Sequence, residues 1–335
     1  MKLVTFKFNG QLKIGAVLQD NYVLDLQRAY ALYLAKEEQD LQADGMAQAL
    51  IPGDMVEFLR GGQLAQEAAQ KAYDYAKEQE HSLLGINEEW LFYSLEDVKL
   101  LAPLQPLTVI GAGPGLEEPN NQQMHSYIEF YLKSEHTVVG PGAPILYLPE
   151  QAQNFDCTVE LGVIIGKPGR HIPEDKVMDH IYGFTVAHNV YCEKLQVGWE
   201  GTMFHVRYSE GTSFDNACPT GPWIVTKDEV GDPDNLNMLL YVNGKVRDKL
   251  NSKDLLRGVK EFVSYCSTFI TLEPGLLILS GSSNGPVLGK DADGRPVIKD
   301  LRKNPAYLKP GDVVRSVIEN VGELENPVVE WKGGK

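Results

Sequence analysis

Apolar and polar residues alternate along the first 25 residues of the chain. The stretches KLVTFKF, KIGAVLQ and YVLDL each repeat with a period of two, and the dipeptides Asn9-Gly10 and Asp20-Asn21 separate them. Such alternation is typical of half-buried strands, and an Asn-Gly pair between two of them is a strong hairpin signal. The pattern predicts a small β meander at the start of the chain.

The pattern changes from about residue 26 to residue 82. Ala, Gln, Glu, Lys and Leu recur at helical spacing in DLQRAYALYLAKEEQDLQ and QLAQEAAQKAYDYAKEQE, and Pro-Gly and Gly-Gly pairs interrupt the helical pattern. This predicts a helical insert after the meander. We place the end of this N-terminal domain at residue 104, between two prolines, and a second domain over residues 105–335.

The second domain consists of short strand-like runs separated by Gly and Pro turns. The runs are LTVIGA, APILYL, CTVELGVIIG, GFTVAHNV, GPWIVT, NMLLYVNGKV, GLLILSG and DVVRSVI. Helical periodicity is found near 174–181 and near 253–270. Many strands with two helices predict an α+β, mainly β fold with a mixed and mainly antiparallel sheet, and they argue against a doubly wound βαβ repeat.

One of these runs, DCTVELGVIIG at 156–166, carries a carboxylate where a buried strand is expected. Alternation places Cys157, Val159 and Leu161 on one face and Thr158 and Glu160 on the other. The run is apolar on both sides, which is typical of a strand buried on both faces. We therefore expect Glu160 to line a cavity.

Other polar stretches are candidates for the same site. The strand-like run GFTVAHNVYCEKLQ at 183–196 is predicted to end in a polar cluster that includes His188, Asn189 and Glu193. Catalytic and binding residues often lie at the ends of strands. The stretches EGTSFDNACPTGPWIVT at 210–226 and LSGSSNG at 279–285 supply loops that offer hydroxyls and backbone N–H groups to an anionic ligand. The glycines of VIGAGPG do not open an apolar-faced helix, so a dinucleotide site is disfavoured.

Charge and cysteine content exclude several classes of protein. The 335 residues include 46 acidic and 31 basic side chains, a net charge of −15, and no basic stripe interrupts this surplus, so nucleic acid is not an expected partner. The N-terminal meander leaves no room for a signal peptide or membrane helix, which predicts a cytoplasmic protein without a membrane partner. Four widely spaced cysteines without a C-x-x-C pair predict buried free thiols.

In order and spacing, the motifs of residues 105–330 resemble the fumarylacetoacetate hydrolase family. The matching segments include DCTVELGVIIGKPGRHI, GFTVAHNVYCEKLQ, GTSFDNACPTGPWIVT, FITLEPGLLILSGSSNG and FYLKSEHTVVGPGAPILYLP, the last with Lys133 at the family's lysine position. The first hundred residues resemble the variable N-terminal part of its longer members. The resemblance implies a homodimer with a rolled β-sandwich catalytic domain that acts on small molecules.

The resemblance also implies a reaction class and a cofactor. Family members cleave C–C bonds in β-diketo acids, decarboxylate oxaloacetate, or dehydrate and isomerise related 2-oxo acids. A Mg²⁺ or Mn²⁺ ion usually holds the oxo and carboxylate oxygens of the substrate, because a hard cation prefers such ligands and stabilises an enolate.

The chain departs from the family at the metal ligands. The family strand carries Glu-x-Glu and a later strand supplies an Asp, whereas the corresponding residues here are Thr158, Glu160 and Asn189. Two of the three ligands are therefore uncharged. Because Mg²⁺ gives up its water reluctantly and relies on carboxylates, Mg²⁺ or Mn²⁺ is expected to bind weakly or not at all.

Other pocket positions are also changed. Glu117 stands about where the family has a water-activating His, Glu193 matches an Arg, and Thr212 matches a Lys. Gln196, Ser213 and Ser282 fit amide and hydroxyl positions of the family. The resemblance thus predicts a catalytic set and a substrate-binding set. The catalytic set is Glu160, Glu117, Glu193 and Gln196, and the substrate-binding set is Lys133, Thr212, Ser213 and Ser282.

Three functions are compatible with these residues. The first is a hydrolase or lyase that hydrolyses a C–C bond or decarboxylates a small oxo-acid or β-diketone-type compound. The second is a metal-independent dehydratase, isomerase or cyclase in which a glutamate acts as general acid and base. The third is a non-catalytic binding homologue. Intact strands and turns beside exchanged polar pocket residues favour altered chemistry or binding over simple loss of function.

Overall fold

The computed structural model describes residues 1–19, 21–113, 129–148, 154–193, 197–200, 203–282, 286–290, 296–300 and 307–333. A twelve-stranded sheet forms the centre of this structure. Its main path, in spatial order, is β4 (Phe92–Ser94), β3 (Tyr22–Asp25), β2 (Gln11–Leu18), β1 (Lys2–Phe8), β14 (Cys218–Thr226), β11 (Ile181–Cys192), β10 (Phe155–Ile165), β17 (Leu277–Leu279), β6 (Val109–Ala112) and β7 (Phe130–Lys133). Two short strands lie off this path: β5 (Lys99–Leu100) pairs with β1, and β8 (Val138–Val139) pairs with β14.

A second sheet has five strands. Their spatial order is β16 (Lys245–Asn251), β15 (Asn237–Val242), β20 (Val313–Ile318), β21 (Gly322–Glu330) and β9 (Ile145–Tyr147). Two separate hairpins are formed by β12 (Val197–Glu200) with β13 (Met203–Val206) and by β18 (Pro286–Lys290) with β19 (Pro296–Asp300). Among the described strand pairs, β8–β14, β6–β17 and β9–β21 are parallel and the others antiparallel. The predicted α+β, mainly β class is therefore confirmed.

The helices divide into an N-terminal group and scattered later ones. The first group is α1 (Leu26–Glu37), α2 (Ala43–Leu50), α3 (Met55–Arg60) and α4 (Gly62–Ala76), and the later helices are α5 (Val177–His180), α6 (Tyr208–Thr212), α7 (Lys227–Val230) and α8 (Val259–Phe269). The sequence did not predict α6 and α7, because a segment of about one turn is too short to show a helical period. No helix within the described ranges is both long and apolar enough to span a membrane.

The large sheet is buried on both faces. On one face, helices α1 to α4 pack against side chains such as Ile164 and Leu277. On the other face, Cys157, Val159 and Leu161 of β10 pack with the five-stranded sheet and α8, as their alternation predicts. Thr158 and Glu160 therefore point to the same side of the sheet as Ile164, which packs with the N-terminal helices further along the strand.

The N-terminal meander is continuous with the large sheet. Strand β1 pairs with β14, and Leu3 lies opposite Ile224. The turn at Asn9-Gly10 is formed as the sequence predicts, with positive φ at both residues. The predicted domain boundary at residue 104 thus falls within a chain whose two parts share one sheet, and it stays a prediction.

All four cysteines are buried and none forms a disulfide bond, as their spacing predicts. Burial raises the pKa of the Cys192 and Cys266 thiols to about 12. They behave as small apolar side chains in the core.

Candidate active site

Strands β10 and β11 bring three of the predicted site residues side by side. Thr158 lies directly opposite Asn189 in the antiparallel register, and Glu160 lies opposite Ala187. The side chains of Thr158, Glu160 and Asn189 are all buried, and Glu160 is only 3% exposed. Glu160 therefore faces the interior rather than solvent, and its place in the lining of a cavity stays a prediction.

Both carboxylate oxygens of Glu160 accept hydrogen bonds from the protein. Oε1 accepts from the Thr158 hydroxyl at 2.9 Å and from Asn189 Nδ2 at 2.7 Å. Oε2 accepts from the backbone N–H of Gly281 at 2.9 Å. Gly281 has a φ of +82°, a backbone conformation that glycine adopts without strain. The Gly-Ser loop was expected to offer N–H groups to an anion, and the anion it meets is Glu160.

Lys133 is joined to this carboxylate through Asn189. Its Nζ donates to Asn189 Oδ1 at 2.8 Å and to the carbonyl oxygen of Ala217 at 3.0 Å. The orientation of the Asn189 amide follows from its neighbours, because a protonated Lys133 only donates and an ionised Glu160 only accepts. Among the lysines and arginines that the structure describes, Lys133 alone is buried, with 3% exposure.

Tyr131 completes the network and was not predicted from the sequence. Its hydroxyl accepts from Asn189 Nδ2 at 2.8 Å, and its ring stacks on Tyr208 with centroids 5.4 Å apart. Gly111 makes room for this ring, since a Cβ at that position would lie 2.4 Å from it. The available signal was the spacing in FYLK, which places Tyr131 two residues before Lys133 on the same strand face.

The pKa values of the network are shifted by its burial. Burial raises the pKa of Glu160, against the opposing effects of its hydrogen bonds from Asn189, Thr158 and Gly281 and of the charge on Lys133. Burial also lowers the pKa of Lys133, while the charge of Glu160 acts in the opposite direction. Burial raises the pKa of the nearby Cys218 thiol to about 11. The site is therefore a desolvated environment in which burial opposes the ionisation of Glu160 and Lys133, while the charge on each favours ionisation of the other.

Two of the other predicted residues have partners outside this network. Glu193 lies within 3.4 Å of Asn154 Nδ2 and of the Tyr307 hydroxyl. It follows Asn189 by four residues, which is about 13 Å along a strand. The Thr212 hydroxyl donates to the carbonyl oxygen of Tyr208 at 2.7 Å. Thr212 thus supports the residue that stacks on Tyr131.

Ser213 is close to the network without contacting Glu160. Its Oγ accepts from the backbone N–H of Ser134, next to Lys133, at 2.6 Å. Ser282 is half-buried and directly follows Gly281. Glu117 and Gln196 lie outside the described residues. Roles in catalysis or substrate binding for these residues stay predictions.

The prediction that the polar residues of the run 183–196 form one cluster at a strand end is wrong in one respect. Strand β11 continues to Cys192, so consecutive residues alternate between its two faces. Asn189 faces Glu160, whereas His188 lies opposite Val159, which is part of the apolar core. The cluster in the sequence is thus divided between the site and the core.

The donor set at the predicted metal position does not fit Mg²⁺ or Mn²⁺. The Thr158 hydroxyl and the Asn189 amide nitrogen donate to Glu160, and the Asn189 amide oxygen is occupied by Lys133. A protonated Lys133 and an ionised Glu160 together carry no net charge, so a buried dication beside them would be left uncompensated. Over the described ranges, no group of three or more His, Cys, Asp or Glu side chains is arranged to hold a metal.

Comparisons with known proteins agree with the sequence motifs and the fold. The profile of the fumarylacetoacetate (FAA) hydrolase C-terminal family matches residues 107–329. The mitochondrial oxaloacetate tautomerase fahd2 of Xenopus laevis is 33% identical over 283 residues, which cover 83% of this chain and 79% of that protein.

Two solved structures have the same fold over nearly the whole chain. The fumarylacetoacetate hydrolase of Exiguobacterium antarcticum has a TM-score of 0.69 and 25% identity, and the match covers 99% of this chain and 100% of that one. Maleylpyruvate hydrolase of Sphingobium, solved in complex with manganese(II) and pyruvate, has a TM-score of 0.65 and 22% identity, with coverage of 99% and 100%.

Proposed function

Since this chain belongs to the fumarylacetoacetate hydrolase family, we propose that it is an enzyme that acts on a small 2-oxo acid or β-diketone-type compound. Its acid–base group is Glu160. The observation that carries this proposal is the buried hydrogen-bond chain from Lys133 through Asn189 to Glu160. A buried chain of this kind holds a carboxyl group in one orientation and keeps bulk water from it.

Keto–enol tautomerisation or a related isomerisation suits this arrangement. Such a reaction removes a proton from the carbon beside the oxo group and delivers a proton to the enolate. Burial raises the pKa of Glu160 above that of an ordinary glutamate, which favours a carboxyl group that both accepts and returns a proton. The 33% identity to a protein named oxaloacetate tautomerase supports the same reaction class.

Hydrolysis of a C–C bond or decarboxylation is the second candidate. It is favoured by the likeness to the fumarylacetoacetate hydrolase of Exiguobacterium antarcticum. Hydrolysis needs a group that activates water, and the sequence offers Glu117 for this role. A non-catalytic binding homologue is the third candidate and is an outcome of the same experiment.

The experiment measures two reactions of oxaloacetate in a buffer that contains a chelator. Loss of the enol is followed by its ultraviolet absorbance, and pyruvate is measured with lactate dehydrogenase. We expect the protein to speed up enol loss without forming pyruvate. Glu160→Gln should lower kcat by about 10²- to 10⁴-fold, because it removes the acid–base group and keeps the shape of the side chain.

The matched control is Glu323→Gln, which removes a surface carboxylate paired with Arg315 and should leave kcat unchanged. Wild-type turnover by Glu160→Gln would rule out its proposed role. Pyruvate formation at the rate of enol loss, or cleavage of an acylpyruvate, would favour the second candidate. Saturable binding of oxo-acids without any turnover would indicate a binding homologue.

Assembly and location are further parts of the proposal. The resemblance favours a homodimer, and the sequence favours the cytoplasm. Light scattering of the purified protein and fractionation of its native cells test these two statements.

A further inference from the structure

We infer that Lys133 provides the positive end of this site in place of a divalent cation, so that the protein binds the oxygens of its substrate without a metal. This inference deepens the proposed function, because it rests on the same site and on the same class of oxo-acid substrate.

The first support is the placement of Lys133. A lysine is rarely buried unless its charge is partnered, and here the side chain is 3% exposed. The protonated amine has three N–H donors. Two of them are used in the contacts found within the described residues, to Asn189 and to the carbonyl oxygen of Ala217. As far as the described residues go, one donor is left for an oxygen of a ligand.

The second support is the balance of charge. Three carboxylates, a dication and the family's lysine would sum to a net charge of zero at this position. Here Thr158 and Asn189 are uncharged, and Glu160 with Lys133 sums to zero. Replacing two carboxylates therefore removed the negative charge that a buried dication needs, and the remaining carboxylate is offset by the amine.

The third support is the geometry of the uncharged residues. Asn189 has its amide oxygen towards Lys133 and its amide nitrogen towards Glu160, at 2.8 Å and 2.7 Å. An aspartate in the same place could accept from Lys133 but could not donate to Glu160. The asparagine can thus connect the lysine to the carboxylate by hydrogen bonds, whereas an uncharged amide is a poor ligand for a divalent metal in this place.

Metal binding is the first test. The chelator-treated wild-type protein is titrated with Mn²⁺ beside the double variant Thr158→Glu/Asn189→Asp, which restores the family's carboxylates. We expect no saturable binding by the wild type and stoichiometric binding by the variant. Saturable, stoichiometric Mn²⁺ binding by the wild type would overturn the inference.

Oxalate binding in the presence of a chelator is the second test. Oxalate presents two oxygens on adjacent carbons, in the arrangement of the oxo and carboxylate oxygens of an ionised 2-oxo acid. We expect the wild type to bind it without metal and Lys133→Met to bind it roughly tenfold or more weakly, as for the loss of a charge-assisted hydrogen bond. The matched control is Lys227→Met, which removes a half-buried lysine that also donates to a backbone carbonyl; it should bind oxalate normally.

Equal oxalate affinity in a folded Lys133→Met variant would overturn the inference, and thermal unfolding shows whether that variant is folded. If it is not, the wild type decides, because oxalate binding that appears only after Mn²⁺ is added contradicts the inference as well. The outcomes separate it from the proposed function. Metal-free, Lys133-dependent binding of oxalate without turnover of oxaloacetate would support the inference and contradict the proposed enzymatic function. Turnover that depends on Mn²⁺ would support the enzymatic function and contradict the inference.

Discussion

The carboxylate of Glu160 is held by donors from three stretches of the chain. Thr158 belongs to the same strand, Asn189 to the neighbouring strand, and Gly281 to the loop after β17. A buried carboxylate is costly unless its oxygens are hydrogen-bonded. The identities of these residues therefore depend on one another, and a change at one of them leaves a buried partner unsatisfied.

His188 shows the opposite situation one residue from Asn189. Both of its ring nitrogens are buried, and neither has a hydrogen-bond partner within the described structure. Burial lowers its pKa to about 3. The histidine therefore stays neutral in the folded protein at pH values where the unfolded chain takes up a proton.

This difference predicts a loss of stability in acid. Above the unfolded pKa of about 6.5 both states are neutral and His188 contributes nothing to the pH dependence. Between that pKa and the folded value, the unfolded state binds one more proton, so the free energy of unfolding falls by about 1.4 kcal/mol per pH unit. From pH 7.5 to pH 5 we expect a loss of about 2 kcal/mol from this residue, measured by urea unfolding.

His188→Leu should remove that part of the acid loss, because leucine fills the apolar site and does not titrate. The control is His136→Gln, which changes an exposed histidine and should keep the wild-type pH dependence. An unchanged acid loss in His188→Leu would contradict the assignment.

At the scale of elements, β10 joins the two sheets. All of its residues are buried, and Asp156 near its start forms an ion pair with Arg247 of β16. Asp156 is fully buried and the Arg247 side chain is 11% exposed. The pair thus connects the large sheet to an edge strand of the five-stranded sheet through a nearly dry contact.

Arg247→Met should destabilise the protein by about 3–5 kcal/mol, because it removes one partner of a buried ion pair. The measurement is the free energy of unfolding in urea. Arg315→Met is the matched control, since it breaks a pair with Glu323 in which the side chains are 32% and 51% exposed, and it should cost less than about 1 kcal/mol. Similar losses in the two variants would contradict the structural role of the buried pair.

At the scale of the whole molecule, the N-terminal third completes the core of the rest. Helices α1 to α4 and strands β1 to β3 share one apolar cluster with Val109, Ile164 and Leu277. Strand β1 also covers the edge of β14. Without these elements, a large apolar face and an unpaired strand edge would be open to water.

A chain that consists of residues 105–335 alone should therefore fail to fold cooperatively. We expect it to bind a hydrophobic dye and to show no sharp transition in urea, in contrast to the full chain. A fragment that unfolds cooperatively at the midpoint of the full protein would show that the two parts fold independently, as the predicted boundary at residue 104 implies.

Much of the fold could be predicted because the signals are local. The period of two in β10 assigns its core face without any partner, and the helical spacing after residue 26 indicates the insert. The short helices α6 and α7 give no such signal. The pairing of β1 with β14 joins residues more than two hundred positions apart, and no local pattern specifies which strand a meander will meet.

The site was only partly predictable for the same reason. Sequence alone determined that Glu160 lies on a buried face, because side-chain alternation is a property of one strand. It did not determine that Tyr131, Lys133 and Gly281 meet there. The tertiary structure decided this, since hydrogen bonds to Glu160 join residues as far as 121 positions apart. Only folding fixes which distant donors satisfy a buried carboxylate.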